Sequence, residues 1–83
     1  MTALDLLTKS ELRVAVLAAR GCSNREMADQ LCVSINTIKT HVRRLLERFG
    51  AHNKAHVVAV LMMDEQFREL VTSPARPREL ANY

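Results

Sequence analysis

Two runs with helical periodicity, separated only by Cys32-Val33-Ser34, constrain this chain more than any other feature. Ser23 followed by Glu26 is a capping box, in which the serine accepts from the backbone N–H at Glu26 and the glutamate reaches back. Met27, Ala28 and Leu31 recur at helical spacing, which predicts a short amphipathic helix from Asn24 to Leu31. A break of about three residues is what a helix-turn-helix connection needs. Ser34 is a good N-cap for a second helix from Ile35 to Phe49, and Gly50 is the preferred residue just past a helix end. The rest of the chain is organised around this pair.

The second helix has two faces. Ile38, Val42, Leu45 and Phe49 form an apolar stripe that must face a core. Lys39, Thr40, Arg43 and Arg44 lie off that stripe, and positions 39, 40 and 43 share one side. Long cations beside a small hydroxyl suit contacts to guanine edges and phosphates, on a helix able to enter a major groove. The plainer alternative is a solvated basic face. The turn and the caps in front of the helix favour the first reading.

Charge placement points the same way. Among 83 residues the net charge is only +3. Residues 35–54, however, carry five basic side chains against Glu47, a local excess of +4. Residues 1–34 are balanced, and 55–72 carry a net −2. Positive charge concentrated on and just after the second helix is the electrostatic footprint of a polyanion binder.

The flanks supply a scaffold. Thr8-Lys9-Ser10-Glu11 is a second capping box, so a first helix starts at Lys9, with Val14, Leu17 and Ala18 as its buried stripe. Leu7 is placed to staple against Leu12. Arg20 is expected to favour the C-terminus of its own helix, which Gly21 ends. This helix reads as a brace for the pair that follows. Asn53 can cap a fourth helix from Lys54, apolar nearly all round as far as Met63. Such a helix is buried on more than one side, and a chain this short has little to cover it with. Val58, Leu61 and Met62 are therefore expected to face a second copy in a two-fold dimer. The alternative is that residues 1–7 or those after Met63 fold back over it. Asp64-Glu65 either ends this helix or lets it run on to Val71. The prolines at 74 and 77 stop any helix, giving a domain over 1–72 and a mobile tail over 73–83. The expected architecture is all-α, a four-helix domain.

Several classes are disfavoured. One small domain exhausts the length, and it buries only about 60–65% of its unfolded surface, so stability is marginal without a partner. The apolar fraction, 48%, argues against wholesale disorder. Cys22, Cys32, His41, His52 and His56 match no zinc spacing, so no metal or other cofactor is expected. No nucleophile stands with an orienting base, there is no Gly-rich phosphate loop, and the carboxylates serve caps and surfaces; no enzymatic activity is expected. Few aromatics leave no stacking platform for RNA. With neither a signal segment nor an apolar run of about 20 residues, no membrane association and a cytoplasmic location are expected.

Leu7-Thr8, Glu11, Val14, Leu17, Ala19 and Gly21, then Ser23-Asn24, Glu26, Ala28, Leu31, Ser34, Thr37, Lys39, His41 and Gly50, resemble the LuxR-type helix-turn-helix domain. That domain is also the output domain of FixJ/NarL-type bacterial response regulators. The resemblance covers Leu7 to Val60, and the combination of GxSNxEhA with SxxTIKxH is far more specific than a generic helix-turn-helix. It implies a four-helix bundle whose third helix reads the DNA major groove and whose fourth supplies the dimer contact. By the same resemblance Lys39, Thr40 and Arg43 face bases. Thr37 becomes a phosphate contact or an N-terminal anchor, and His41 a structural or phosphate-contacting imidazole; Asn24, Arg44 and Lys54 are further candidate phosphate contacts. Lys54 stands where the family commonly has arginine, Ala15 where it has a larger aliphatic, Arg13 where it has an acid and Cys22 where it often has leucine. Family members commonly carry an N-terminal receiver or ligand-binding domain, so the chain is either a fragment of a longer regulator or free-standing.

Two functions follow. The first is a sequence-specific double-stranded DNA-binding transcription regulator, acting as a homodimer. The second is a protein-interaction module that docks on another regulator or on RNA polymerase through its apolar fourth helix.

Overall fold

Every predicted helix start is occupied by the side chain expected to cap it. The computed structural model describes residues 3–76 and 79. A 3-10 turn at Ala3–Leu6 precedes α1 (Lys9–Ala19), α2 (Asn24–Leu31), α3 (Ile35–Phe49), α4 (Lys54–Leu61) and α5 (Glu65–Thr72), and no strand is present among these residues. Thr8 and Ser23 open α1 and α2 with complete capping boxes. Ser34 caps α3 and Asn53 caps α4, each accepting from the N–H three residues on. Gly21 and Gly50 both take positive φ just past a helix, 90° and 58°, where a side chain is strained.

The architecture departs from the four-helix expectation at Asp64. The fourth helix stops at Leu61, and the Asp64 carboxylate then accepts from the N–H of Phe67 at 3.1 Å, starting a separate fifth helix. Asp64 and Glu65 at that start also suit the positive end of the helix dipole. α5 turns back and buries Phe67 and Leu70, at 0% and 1% exposure. It packs on α1. The segment after Met63 thus folds back, but onto the first helix.

α1 is consequently more than a brace. Glu11, Leu12, Val14, Ala15, Val16 and Leu17 are all buried, covering nearly every side of the helix. α1 touches α2, α3, α4 and α5. The other helices each give it one stripe: Met27 and Ala28, Ile38 and Leu45, Val57 and Leu61, Phe67 and Leu70. Leu7 packs against the core that contains Leu12. The apolar fourth helix is buried on one side only, at Val57 and Leu61. Leu61 is 0% exposed, so its assignment to a dimer surface is corrected. Four residues after Val57, it falls on the same inward stripe. Val58 and Met62 are half-buried and Met63 is exposed.

Arg20 also acts differently from expectation. Its guanidinium donates to the carbonyl oxygens of Leu70, Val71, Ser73 and Ala75, at 2.9, 3.0, 2.9 and 3.3 Å. Its side chain therefore caps the C-terminal carbonyls of α5, at least 50 residues away, rather than those of its own helix. The same bonds hold residues 73–75, and Ala75 packs on the core, so the start of the expected mobile tail is tied down. Residues 77, 78 and 80–83 of that tail, like Met1 and Thr2, lie outside the described residues.

Between α1, α3 and α4 lies an apolar cavity of about 10 Å³, lined by Val14, Ala15, Ala18, Val42, Leu45, Lys54, Val57 and Val58. The small side chain of Ala15 borders it. Ala15→Val adds two methyl groups beside a cavity too small to take them and is expected to cost about 1–3 kcal/mol through overpacking, measured as a lowered denaturation midpoint. Arg20→Ala removes charge-assisted bonds to half-buried carbonyls and is expected to cost about 1.5–3 kcal/mol. Amide exchange in α5 should accelerate with it, whereas a purely global loss would speed exchange in every helix equally.

Candidate nucleic-acid interface

The geometry of the interface begins at the turn in front of α3. Cys32 sits at φ 57°, the one non-glycine with positive φ among the described residues. The N–H of Val33 then reaches the Ala28 carbonyl at 3.0 Å, closing α2 and turning the chain sharply. Ser34 Oγ accepts from Thr37 N at 3.1 Å and lies 2.9 Å from Thr37 Oγ1, so Thr37 is engaged in the N-terminal cap. On the α2 side, the Ser23 backbone N–H, and then its hydroxyl, hold the Glu26 carboxyl below its ordinary range. That cap contributes stability above the ordinary carboxylate pKa and loses it as pH falls through the lowered value.

α3 is anchored from behind by Ile38 and Leu45, at 0% and 4% exposure. The opposite side is therefore turned to solvent. Lys39, Arg43 and Arg44 are exposed, and Thr40 is half-buried. None of the three cations takes part in an ion pair among the described residues. Thr40 Oγ1 donates to the Asn36 carbonyl at 3.0 Å, which uses its only donor and leaves a methyl group and acceptor lone pairs. Asn36 is exposed on the same side, and sequence reasoning missed it. The signal was available in its spacing of three, four and seven residues before Lys39, Thr40 and Arg43.

Two candidate phosphate contacts distant in sequence are brought together. Lys54 Nζ donates to Asn24 Oδ1 at 3.0 Å, joining the starts of α4 and α2. His41 is half-buried, and its Nδ1 is buried with no hydrogen-bond partner among the described residues. Not every cation of the basic segment is free. Arg48 is spent internally: its guanidinium lies 3.3 Å from the buried carboxylate of Glu11 and donates to the Leu6 carbonyl. Counting charges along the sequence could not separate Arg48 from Arg43 and Arg44, because the difference is which of them the fold brings within reach of Glu11 and Leu6.

Among the described residues no helix is long and apolar enough to cross a membrane, and no three His, Cys, Asp or Glu side chains come together as a metal site.

Residues 5–61 match the family model GerE, described as bacterial regulatory proteins of the luxR family, over well more than half of the chain. The chain belongs to the luxR family. The match ends at the last residue of α4, so α5 lies beyond the luxR-family match, while Arg20, which clamps it, lies within. A nitrate/nitrite response regulator protein homolog of Haemophilus influenzae is 40% identical over 65 residues, 78% of this chain and 30% of that protein. The response regulator proteins VraR of Staphylococcus aureus and Staphylococcus saprophyticus are 33% identical over 54 residues, 65% of this chain and 26% of theirs. This luxR-family chain thus spans less than a third of the length of these curated relatives. No solved structure matches it significantly.

The turn that aims α3 carries a measurable strain. A left-handed residue with a Cβ costs roughly 1–2 kcal/mol relative to glycine, part of which glycine loses again through its flexible unfolded state. Cys32→Gly is expected to stabilise the fold by about 0.5–1 kcal/mol in urea denaturation. An unchanged or lowered midpoint would mean that the Cys32 side chain contributes more than its backbone costs.

Proposed function

We propose that this chain is a sequence-specific double-stranded DNA-binding transcription regulator domain that places α3 in the major groove. The observation that carries the reading is the outward face of α3. Lys39, Arg43 and Arg44 stand there exposed and without ion-pair partners among the described residues, directly behind a capped helix-turn-helix. Membership of a family of bacterial regulatory proteins, and relatives titled response regulators, support it. Lys39, Thr40 and Arg43 read base edges, with Thr40 contributing its methyl and acceptor positions. Arg44, Thr37, His41 and the Asn24–Lys54 pair face phosphates and set the register of the helix. The affinity is mostly electrostatic and weakens steeply with salt.

The chain acts as a homodimer on a two-fold related site. The outward side of α4 at half-buried Val58, continued just past the helix end by half-buried Met62 and 83% exposed Met63, supplies the contact. The same surface favours a second reading, docking on another regulator or on RNA polymerase. The two readings differ in whether a specific DNA site exists.

Selection of the 83-residue chain against random duplex DNA at physiological salt is expected to return a short inverted repeat. Its half-site spacing then fixes the dimer geometry. Arg43→Ala should cost about 1–3 kcal/mol on the selected site and relax preference at one base pair per half-site. An equal loss on all duplexes would reassign Arg43 to phosphate. A folded chain that enriches no duplex would replace this function with the docking one.

A further inference from the structure

We infer that Asn36 is a base-reading residue that specifies an adenine in each half-site; the inference rests on the DNA-binding reading of α3 above. Asn36 lies in the first turn of α3, on the face shared with Lys39, Thr40 and Arg43, since residues three, four and seven apart stack on one side of a helix. Its side chain is exposed and makes no hydrogen bond within the described residues. Its backbone is fixed: the Asn36 carbonyl accepts the Thr40 hydroxyl at 3.0 Å. The helix beneath it is anchored two residues on by Ile38, at 0% exposure. A free carboxamide therefore projects from a rigid platform.

The chemistry of the face separates the roles. Lys39 and Arg43 are donors only, and they suit the acceptor edge of guanine. Thr40 has used its donor on the backbone. Asn36 is the one side chain of these four that retains both a free donor and a free acceptor. Adenine presents the complementary pair in the major groove, an acceptor at N7 and a donor at N6, and a carboxamide meets both at once. Along the helix Asn36 lies about 4.5 Å from Lys39 and about 10.5 Å from Arg43, at 1.5 Å per residue. Base pairs are about 3.4 Å apart, so Asn36 and Arg43 address different pairs. The recognised half-site thus contains an adenine at a fixed offset from the guanine read by Arg43.

The test uses the duplex selected by the unsubstituted chain, with every base pair replaced in turn and binding measured for that chain and for Asn36→Ala. The unsubstituted chain is expected to lose about 5- to 150-fold when one particular A·T pair per half-site is replaced. Asn36→Ala should lose discrimination at that pair alone and keep its guanine preferences. Replacing that adenine by 7-deazaadenine, which lacks the N7 acceptor, should weaken the unsubstituted chain and leave Asn36→Ala unaffected. An unchanged thermal midpoint confirms that the substitution leaves the fold intact. The assignment is overturned if Asn36→Ala keeps every A·T preference, or if it weakens binding equally on all duplexes, as a phosphate contact would. In both cases intact guanine preferences leave the DNA reading standing. Failure of the unsubstituted chain to select any duplex overturns the DNA reading and this assignment together.

Discussion

One helix has to be covered on almost every side, and the other four are arranged to cover it. α1 carries six consecutive or near-consecutive buried positions, from Glu11 to Leu17. No single neighbour can shield such a helix, because a packed helix covers only about a third of its partner's circumference. α2, α3, α4 and α5 therefore each bring one stripe to it, and a single core results. At this chain length the apolar area available is small, so the loss of any one stripe exposes α1 itself.

Two arginines fix where the covering helices sit. Arg48, near the end of α3, reaches the carboxylate of Glu11, which also accepts the Thr8 N–H at 2.9 Å. A carboxylate at 1% exposure is expensive to desolvate, and the cap and the guanidinium, both on Oε1, offset part of that cost, while Oε2 is buried with no hydrogen-bond partner among the described residues. The result ties the start of α1 to the end of α3 and pins the rotation of α3 about its own axis. Arg20 does the corresponding work at the other end of α1. It gathers four carbonyls at the close of α5 and so locks the lid over the core.

The rotation of α3 has a functional consequence. With Ile38 and Leu45 inward and Arg48 drawn to Glu11, the side chains of Asn36, Lys39, Arg43 and Arg44 have no partner among the described residues and face outward. The sharp left-handed turn at Cys32 places α2 behind this face, and the Lys54–Asn24 bond closes its flank. The proposed DNA surface is thus the side of α3 that the core leaves free.

Local chemistry made most of the fold legible in the sequence. Thr8, Ser23, Ser34 and Asn53 announce helix starts because a cap satisfies backbone donors within three residues, and Gly21 and Gly50 announce helix ends for a similarly local reason. Periodicity separated the inward stripe of α3 from its basic face. What the sequence could not determine was every interaction spanning the chain. Asp64 has the character of a cap, yet whether it ends one helix or starts another depended on whether Phe67 and Leu70 had a surface to bury against. Leu61 could not be told from Val58 and Met62 in a helix apolar all round, since only its packing partners decide which side is inward. Arg20 and Arg48 are ordinary cations in the sequence; tertiary structure alone turned them toward carbonyls and a carboxylate more than thirty residues away.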